Sequence, residues 1–236
     1  MGLYIILMGV QGAGKGEQAK YIQRTYGIPQ VSTGDLFRAM KTRTDALAQR
    51  VQQILAEGKL VDDATTNEIV RERLEQPDAA NGVILDGYPR TQAQSEWLEN
   101  YLAGRGEKIA AVLLLELDLY TAFKRAFGRV SSARTDKTWN IYYNADGIDW
   151  TFEPHPDEAY PPRLKAVVRE TGEELKRRND DASAHAILKR IDAFMESTQP
   201  LIDYYRAKGL LRVIDADQPI EQVSAAIRAE IEQAKG

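Results

Sequence analysis

The feature that most constrains this chain is a short apolar run that leads directly into a glycine-rich loop. Residues Tyr4–Met8 are rich in β-forming side chains, which is typical of a strand buried on both faces. The loop Gly9–Gly16 follows with the pattern G-x-x-x-x-G-K and opens a helical segment. Its glycines let successive backbone N–H groups face one anion, and the helix N-terminus adds positive charge. The sequence therefore predicts a P-loop in which Lys15 reaches the phosphates of a nucleotide.

Similar apolar runs recur along the chain and alternate with helical patterns. They lie at Val83–Leu85, Ala111–Leu115 and Leu211–Ile214. The helical patterns are Lys15–Tyr26, Gly34–Met40, Ala46–Glu57, Asp63–Leu74, Gln92–Tyr101, Asp180–Ala207 and Pro219–Ala234. This alternation predicts an α/β fold, with a parallel sheet core, helices on both faces and ligands at the carboxyl ends of the strands.

The pattern breaks between Arg129 and Arg178, where aromatic and proline residues replace the helical period. A plain loop of that length is uncommon inside a compact domain, so we expect a small inserted subdomain. Within it, Trp139, Trp150, Phe152 and Tyr160 are expected to form an apolar cluster.

The composition excludes several classes of function. The 236 residues carry a net charge of −4, which argues against a nucleic-acid or anionic-membrane surface. No cysteine is present, so disulfides, thiol catalysis and cysteine-bound zinc are excluded. The apolar run near the N-terminus is too short for a membrane span and lacks a basic leader. We therefore expect a soluble cytoplasmic protein.

Three motifs in order carry a family resemblance. Gly9–Gln18, Val31–Arg38 and Asp86–Thr91 together resemble the adenylate kinase family, and the resemblance covers nearly the whole chain. Segments Gly58–Val61, Thr171–Leu175 and Arg178–Asp181 fit the same order and approximate spacing. The resemblance implies reversible transfer of a phosphoryl group from Mg-ATP to AMP, giving two ADP. It also implies a need for Mg²⁺, and the missing cysteines leave no zinc site of the family's usual form. The sequence has no evident coiled-coil seam or long apolar strand edge, so we expect a monomer.

The resemblance assigns a role to each matching residue. For ATP binding it implies Gly12, Ala13, Gly14, Lys15, Gly16, Glu17, Arg125, Arg129 and Ala216. For AMP binding it implies Thr33, Arg38, Lys59, Leu60, Val61, Gly87, Arg90, Gln94, Arg178 and Arg190. The catalytic group would comprise Lys15, Arg90, Arg125, Arg178 and Arg190, and Asp86 would hold Mg²⁺ through water. Positioning and charge neutralisation carry most of the catalysis of phosphoryl transfer, so no general base is required.

The family's division of the chain is expected here as well. Residues 1–236 would form a single unit with its core at 1–31, 75–128 and 179–236. Residues 32–74 would form an AMP-binding excursion, and residues 129–178 a lid that excludes water.

Three positions depart from the family pattern. Glu17 stands where threonine is usual, and a carboxylate there would repel ATP unless it points outward or holds magnesium through water. Gln11 replaces the usual proline and is expected to loosen the loop slightly. The interval from Arg178 to Arg190 is one residue longer than in the family. Either that residue is absorbed before the helix begins, or Arg190 and Lys189 exchange roles.

Two alternative functions remain open at this stage. A UMP/CMP kinase of the same superfamily is disfavoured by Thr33 and Gln94, where related pyrimidine kinases typically carry Ala and Asn. A nucleotide-binding module without turnover is supported only by Glu17 and the divergent lid sequence. The retained cationic residues argue against such a module, since a sensor needs no cluster around the transition state.

Overall fold

The computed structural model describes residues 1–57, 61–135, 137–154, 162–178, 181 and 183–235. The strands of this part are β1 (Leu3–Gly9), β2 (Gln30–Ser32), β3 (Gly82–Asp86), β4 (Ile109–Glu116), β5 (Arg129–Ser131), β6 (Thr138–Asn140), β7 (Ile148–Glu153), β8 (Arg163–Val168) and β9 (Leu211–Asp215). The α-helices are α1 (Lys15–Tyr26), α2 (Thr33–Met40), α3 (Ala46–Ala56), α4 (Asp63–Leu74), α5 (Gln92–Ala103), α6 (Leu119–Phe127), α7 (Ala184–Ala207) and α8 (Ile220–Lys235). A short 3₁₀ helix occupies Pro77–Ala79.

Five of the strands form a parallel sheet in the order β2-β3-β1-β4-β9. The predicted α/β class with a parallel sheet is thereby confirmed. The chain divides into two compact units. The first unit contains residues 1–9, 14–116 and 195–236, and the second contains residues 10–13 and 117–194.

The first unit buries both faces of its sheet. Tyr4, Ile6 and Met8 on β1 join one apolar cluster with side chains of α4, α5 and α7. Because successive side chains of a strand alternate between faces, Ile5 and Leu7 point the other way. Helix α1 packs against β1 and β3, and α8 packs against β4 and β9. A smaller cluster of Met40, Ala48, Val51 and Ile69 joins α2, α3 and α4.

The second unit contains two antiparallel strand pairs, β5 with β6 and β7 with β8. Its apolar cluster consists of Val130, Trp139, Ile141, Ile148, Leu164, Ala166 and Leu175. The indole N–H of Trp139 donates to the carbonyl of Asp146 at 3.0 Å, so the polar atom of this buried ring is satisfied.

The predicted aromatic cluster of the insertion is correct for Trp139 and wrong for two other members. Trp150 is 43% exposed and Phe152 is 41% exposed, so neither belongs to the buried cluster. They contact one another edge to face, and Phe152 stacks on Phe127 of α6. Aliphatic side chains fill the interior instead. Tyr160 lies outside the described residues.

One strand and one α-helix outside residues 129–178 are absent from the sequence prediction. Strand β2 has only three residues and a single buried side chain, Val31, so it carries no apolar run. Helix α6 does carry a signal, since Leu119, Ala122, Phe123 and Ala126 recur at helical spacing. Helix α7 begins at Ala184 rather than at the predicted Asp180, which lies outside the described residues.

None of the helices in the described part of the chain is long and apolar enough to cross a membrane.

The core of the first unit yields a stability prediction. Leu98 on α5 is fully buried in the cluster beneath β1, so Leu98→Ala removes packed methyl groups and leaves a cavity. We expect the free energy of unfolding in urea to fall by about 2–5 kcal/mol. Leu188→Ala is the matched control, because Leu188 is also helical but exposed. The free energy of unfolding should fall by less than about 0.5 kcal/mol in this variant. Equal losses for the two variants would contradict the burial of Leu98.

Candidate functional site

The glycine-rich loop begins at the carboxyl end of β1 and ends at the N-terminus of α1. Gly14 adopts a φ of 88°, which favours glycine, and α1 begins at the next residue. Gly14 has no side chain to cap this helix, its carbonyl accepts the N–H groups of Glu17 and Gln18, and a helix N-terminus favours anions. Lys15 Nζ donates to the carbonyl of Gly9 at 2.5 Å, which folds the lysine back along the loop. Such a loop can bind an anion through backbone N–H groups and one mobile cation.

The middle of the loop packs tightly within the second unit. A Cβ added to Gly12 would lie 2.6 Å from the carbonyl oxygen of Ala122 and 3.2 Å from Cβ of Arg125, so only glycine fits. The side-chain amide of Gln11 donates to the carbonyl of Ile187 at 2.6 Å. This amide ties the loop to α7, and the slight loosening expected at Gln11 stays a prediction. Ala13 is buried, and its N–H donates to the carbonyl of Val10.

Glu17 points into solvent on the first turn of α1. Its side chain is 62% exposed and lies 3.6 Å from Nζ of Lys20. Gly16, beside it, has open space where a side chain would begin. The outward direction of Glu17 is one of the two arrangements expected from the sequence, and it keeps the carboxylate from facing back along the loop.

Two further predicted residues lie at the carboxyl ends of strands in the same sheet. Asp86 closes β3, pairs in register with Leu7 of β1 and accepts a hydrogen bond from the Gln30 amide at 2.9 Å through Oδ2. Ala216 follows β9, is buried and donates its N–H to the carbonyl of Glu116 at 2.8 Å. Parallel strands bring their carboxyl ends to one edge, so Asp86, Gly9 and Ala216 lie along the same edge of the sheet.

A compact polar cluster forms where β3 leads to α5. The carbonyl of Gly87 accepts from the Thr33 hydroxyl at 2.8 Å and from Nε of Arg90 at 2.9 Å. Gly87 has a φ of 75°, and a Cβ there would lie 3.0 Å from Oγ1 of Thr33. Gln94 is 5% exposed, and its amide oxygen accepts the backbone N–H of Arg90 at 2.8 Å. The structure thus brings together four of the predicted AMP-binding residues.

Of the other predicted AMP-binding residues of the first unit, two make different contacts and two lie outside the described part. Arg38 is 68% exposed and pairs with Asp35 on the same helix. Val61 packs against the cluster that joins α2, α3 and α4. Lys59 and Leu60 lie outside the described residues.

A buried carboxylate joins two of the predicted arginines in the second unit. Asp181 is 1% exposed, and its Oδ1 accepts from Arg190 at 2.7 Å. Its Oδ2 accepts a hydrogen bond from Arg129 at the start of β5. One carboxylate between two guanidinium groups leaves an excess positive charge, which suits a phosphate.

The same contact bears on the extra residue between Arg178 and Arg190. Arg190 reaches Asp181, whereas Lys189 is exposed on the neighbouring helical position. This contact brings Arg190, and not Lys189, to the buried carboxylate. Arg178 is exposed, and its carbonyl accepts the N–H of Asp181.

Arg125 lies on the last turn of α6 and faces an aromatic ring. Its guanidinium carbon is 5.7 Å from the ring centre of Tyr143, which is a cation–π distance. The carbonyl of Arg125 accepts from the Asn140 side chain at 2.8 Å, which ties α6 to the end of β6.

Two acidic residues of these clusters have no role in the sequence prediction. Asp181 belongs to a recognised segment, but the sequence does not indicate that it is buried between two arginines. Asp63 follows the N-cap of α4 and accepts from the Gln94 amide at 2.6 Å. Both contacts join residues from different elements, so no local pattern points to them. Among the described residues, no group of three or more acidic, His or Cys side chains is arranged to hold a metal.

The buried pairing of Asp181 yields a prediction. Asp181→Asn leaves two guanidinium groups facing each other without a counter-charge, so the free energy of unfolding should fall by about 3–5 kcal/mol. The control is Asp149→Asn in the same unit, since Asp149 pairs with Arg169 at 3.1 Å while both side chains are more than 60% exposed. That loss should stay below about 1 kcal/mol. Urea unfolding followed by circular dichroism measures both, and equal losses would contradict the burial argument.

Comparison with known proteins gives one consistent result. A family model described as "Adenylate kinase" matches residues 7–210. The chain is 38% identical over 223 residues to an adenylate kinase of Moorella thermoacetica, covering 94% of this chain and 95% of that protein. It is 39% identical to the adenylate kinase of Shouchella clausii, with 95% and 96% covered, and 38% identical to that of Streptomyces avermitilis, with 93% of each covered.

Proposed function

Because this chain belongs to the adenylate kinase family, we propose that it transfers the terminal phosphoryl group of Mg-ATP to AMP, reversibly, giving two ADP. The enzyme is a phosphotransferase. The observation that carries the proposal is the P-loop at the end of β1, on the same sheet edge as the strand that leads to the cluster of Thr33, Gly87, Arg90 and Gln94. The P-loop is suited to binding a polyphosphate, and the polar cluster presents hydrogen-bonding groups suited to a base and a phosphate.

The ATP phosphates are assigned to the P-loop. Backbone N–H groups of residues 12–17 and the N-terminus of α1 would bind them, and Lys15 would leave the Gly9 carbonyl to follow the transferred group. By resemblance, Arg125 and Arg129 are also assigned to ATP. The backbone at Ala216 follows β9, and we assign it to the ATP base.

AMP is assigned to the polar cluster of the first unit. Thr33 and Gln94 would bind the base, and Arg38 and Arg90 would bind the phosphate, because guanidinium matches phosphate bidentately. Lys59, Leu60 and Val61 complete this assignment by resemblance. Arg178 and Arg190 would serve both AMP and the reacting phosphoryl group.

The charge distribution supports the assignment of arginines to the transition state. Phosphoryl transfer spreads negative charge over the equatorial oxygens, so catalysis depends on positioned cations. Arg129 and Arg190 are held by one carboxylate that is nearly inaccessible to water. Their orientation is thus fixed before substrate arrives, and little reorganisation accompanies the reaction.

Mg²⁺ would arrive with ATP as part of the substrate, and Asp86 fits the task of holding its waters. One oxygen of Asp86 accepts from Gln30, and a carboxylate has further lone pairs for water ligands. The ion neutralises phosphate charge when bound, and Gln30 fixes the direction of the carboxylate.

We assign residues 129–178 as the lid, residues 32–74 as the AMP-binding excursion, and residues 1–31, 75–128 and 179–236 as the core. Within residues 129–178, Glu173 accepts from the Ser132 hydroxyl at 2.8 Å and from the Ala133 N–H at 3.0 Å. These hydrogen bonds lower the pKa of the Glu173 carboxyl, the contact to Ser132 being the larger cause. Glu173 and Trp139 would stabilise the lid in place of cysteine-bound zinc.

The cellular location, oligomeric state and ligands are proposed on the same basis. We propose a cytoplasmic monomer whose ligands are ATP, ADP and AMP and which binds no nucleic acid. The net charge of −4 and the lack of cysteine support this assignment.

The proposal predicts the outcome of a substrate panel. Purified protein with Mg-ATP should convert AMP to ADP at least about 100-fold more efficiently than CMP, UMP or GMP, because an unpaired buried hydrogen-bonding group rejects the wrong base. A Lys15→Met variant, purified in the same way, controls for contaminating kinases. Preferred turnover of a pyrimidine monophosphate would assign the chain a different acceptor. Binding without turnover would indicate a nucleotide-binding module.

The outward direction of Glu17 yields a second prediction. Glu17→Thr should change kcat and KM for ATP by less than about twofold, because a carboxylate exposed to water and paired with Lys20 interacts weakly with the loop. Kinetics at several Mg²⁺ concentrations provide the measurement. A shift in magnesium dependence would assign Glu17 to the ion instead.

A further inference from the structure

Asp63 contacts two side chains that lie about thirty positions further along the chain. Its Oδ1 accepts from the amide nitrogen of Gln94 at 2.6 Å, and its Oδ2 accepts from the hydroxyl of Thr91 at 2.8 Å. Thr91 in turn caps α5 by accepting the N–H of Gln94 at 3.1 Å. The carboxylate therefore connects the first turn of α4 to the first turn of α5, and negative charge is favourable at both.

These contacts fix the orientation of the Gln94 side chain. Its amide oxygen accepts the N–H of Arg90, and its amide nitrogen donates to Asp63. A rotation of the amide by 180° would place an oxygen against the carboxylate and an NH₂ group against the N–H of Arg90. Both contacts would be repulsive, and Gln94 is almost wholly buried, so water cannot relieve them.

A fixed amide offers its remaining hydrogen-bonding groups in one order only. The nitrogen keeps one N–H, and the oxygen keeps one lone pair. Adenine presents an acceptor at N1 and a donor at N6, whereas hypoxanthine and guanine present a donor at N1 and an acceptor at O6. An amide free to rotate could match either order, but a fixed amide matches one.

We infer that Asp63 is a positioning residue for base selection: by holding the Gln94 amide in one orientation, it makes the acceptor site choose adenine over 6-oxopurines. This inference rests on the proposed function, since it places the base of AMP against Gln94. Thr33 also favours adenine over 6-oxopurines. Its hydroxyl proton is donated to the carbonyl of Gly87, so the oxygen can only accept, which suits an amino group rather than a carbonyl.

The test compares AMP with IMP, whose base has almost the same shape and the reversed edge. For wild type, Asp63→Ala and Asp63→Asn, kcat/KM is measured with each acceptor under Mg-ATP, and dissociation constants are measured by calorimetry. Asp63→Ala should reduce the AMP-to-IMP ratio at least about tenfold, with KM for ATP changed less than twofold. Asp63→Asn keeps an oxygen that can accept from Gln94 but adds an NH₂ group that can face the oxygen of a rotated Gln94, so its ratio should also fall, though less.

Asp62→Ala is the matched control. Asp62 precedes Asp63 and caps α4: its two carboxylate oxygens accept from the N–H of Thr65 at 2.8 Å and from the Thr65 hydroxyl at 3.1 Å. This variant loses the cap of the same helix and should keep the wild-type ratio. Thermal unfolding of each variant is followed in parallel.

The outcomes separate the role of Asp63 from the proposed function. An unchanged ratio in Asp63→Ala, or an equal fall in Asp62→Ala, overturns the role of Asp63. If Asp63→Ala does not fold, an unchanged ratio in Asp63→Asn overturns it. A wild type that neither binds nor converts AMP overturns the proposed function itself, so the two failures are distinct.

Discussion

The structure depends on the parallel register of β1 with β3 and β4. Leu7 pairs with Asp86 on one side and with Leu113 on the other, so the central strand is held on both edges and buried on both faces. Parallel pairing brings the carboxyl ends of the strands to one edge of the sheet, where the chain leaves each strand. The P-loop follows β1, and Asp86 with the Gly87 turn forms the exit from β3. The position of the functional groups is thus a consequence of how the sheet hydrogen-bonds.

Within each unit, carbonyl or carboxylate oxygens hold the cationic side chains of the candidate site in place. Lys15 donates to Gly9, Arg90 donates to Gly87, and Arg129 and Arg190 share Asp181. Carbonyl acceptors hold a cation weakly enough for a phosphate to replace them, whereas the buried carboxylate holds its arginines firmly. The lysine and Arg90 are therefore suited to changing partners, and the Asp181 pair to fixing geometry.

The sequence predicted the fold class and most helices, because long apolar runs and helical periods are local signals. It did not yield β2, whose pairing with β3 comes from the sheet rather than from its own three residues. It named the residues of the candidate site but not their partners. Asp181 and Asp63 contact groups from other elements, and only packing decides which partner each acid contacts. Trp150 looked like a core residue because aromatic composition alone does not reveal which face of a hairpin is covered.

The three tryptophans of the chain are divided between the two units. Trp97 stacks on Tyr101 in the first unit, Trp139 is enclosed in the second, and Trp150 is partly open to water. An indole emits at shorter wavelength in an apolar environment than in water, so the rings report on different surroundings. The tryptophans can therefore serve as intrinsic fluorescent probes. With Trp97 and Trp150 replaced by phenylalanine, the remaining emission would come from Trp139 and report on the interior of the second unit alone.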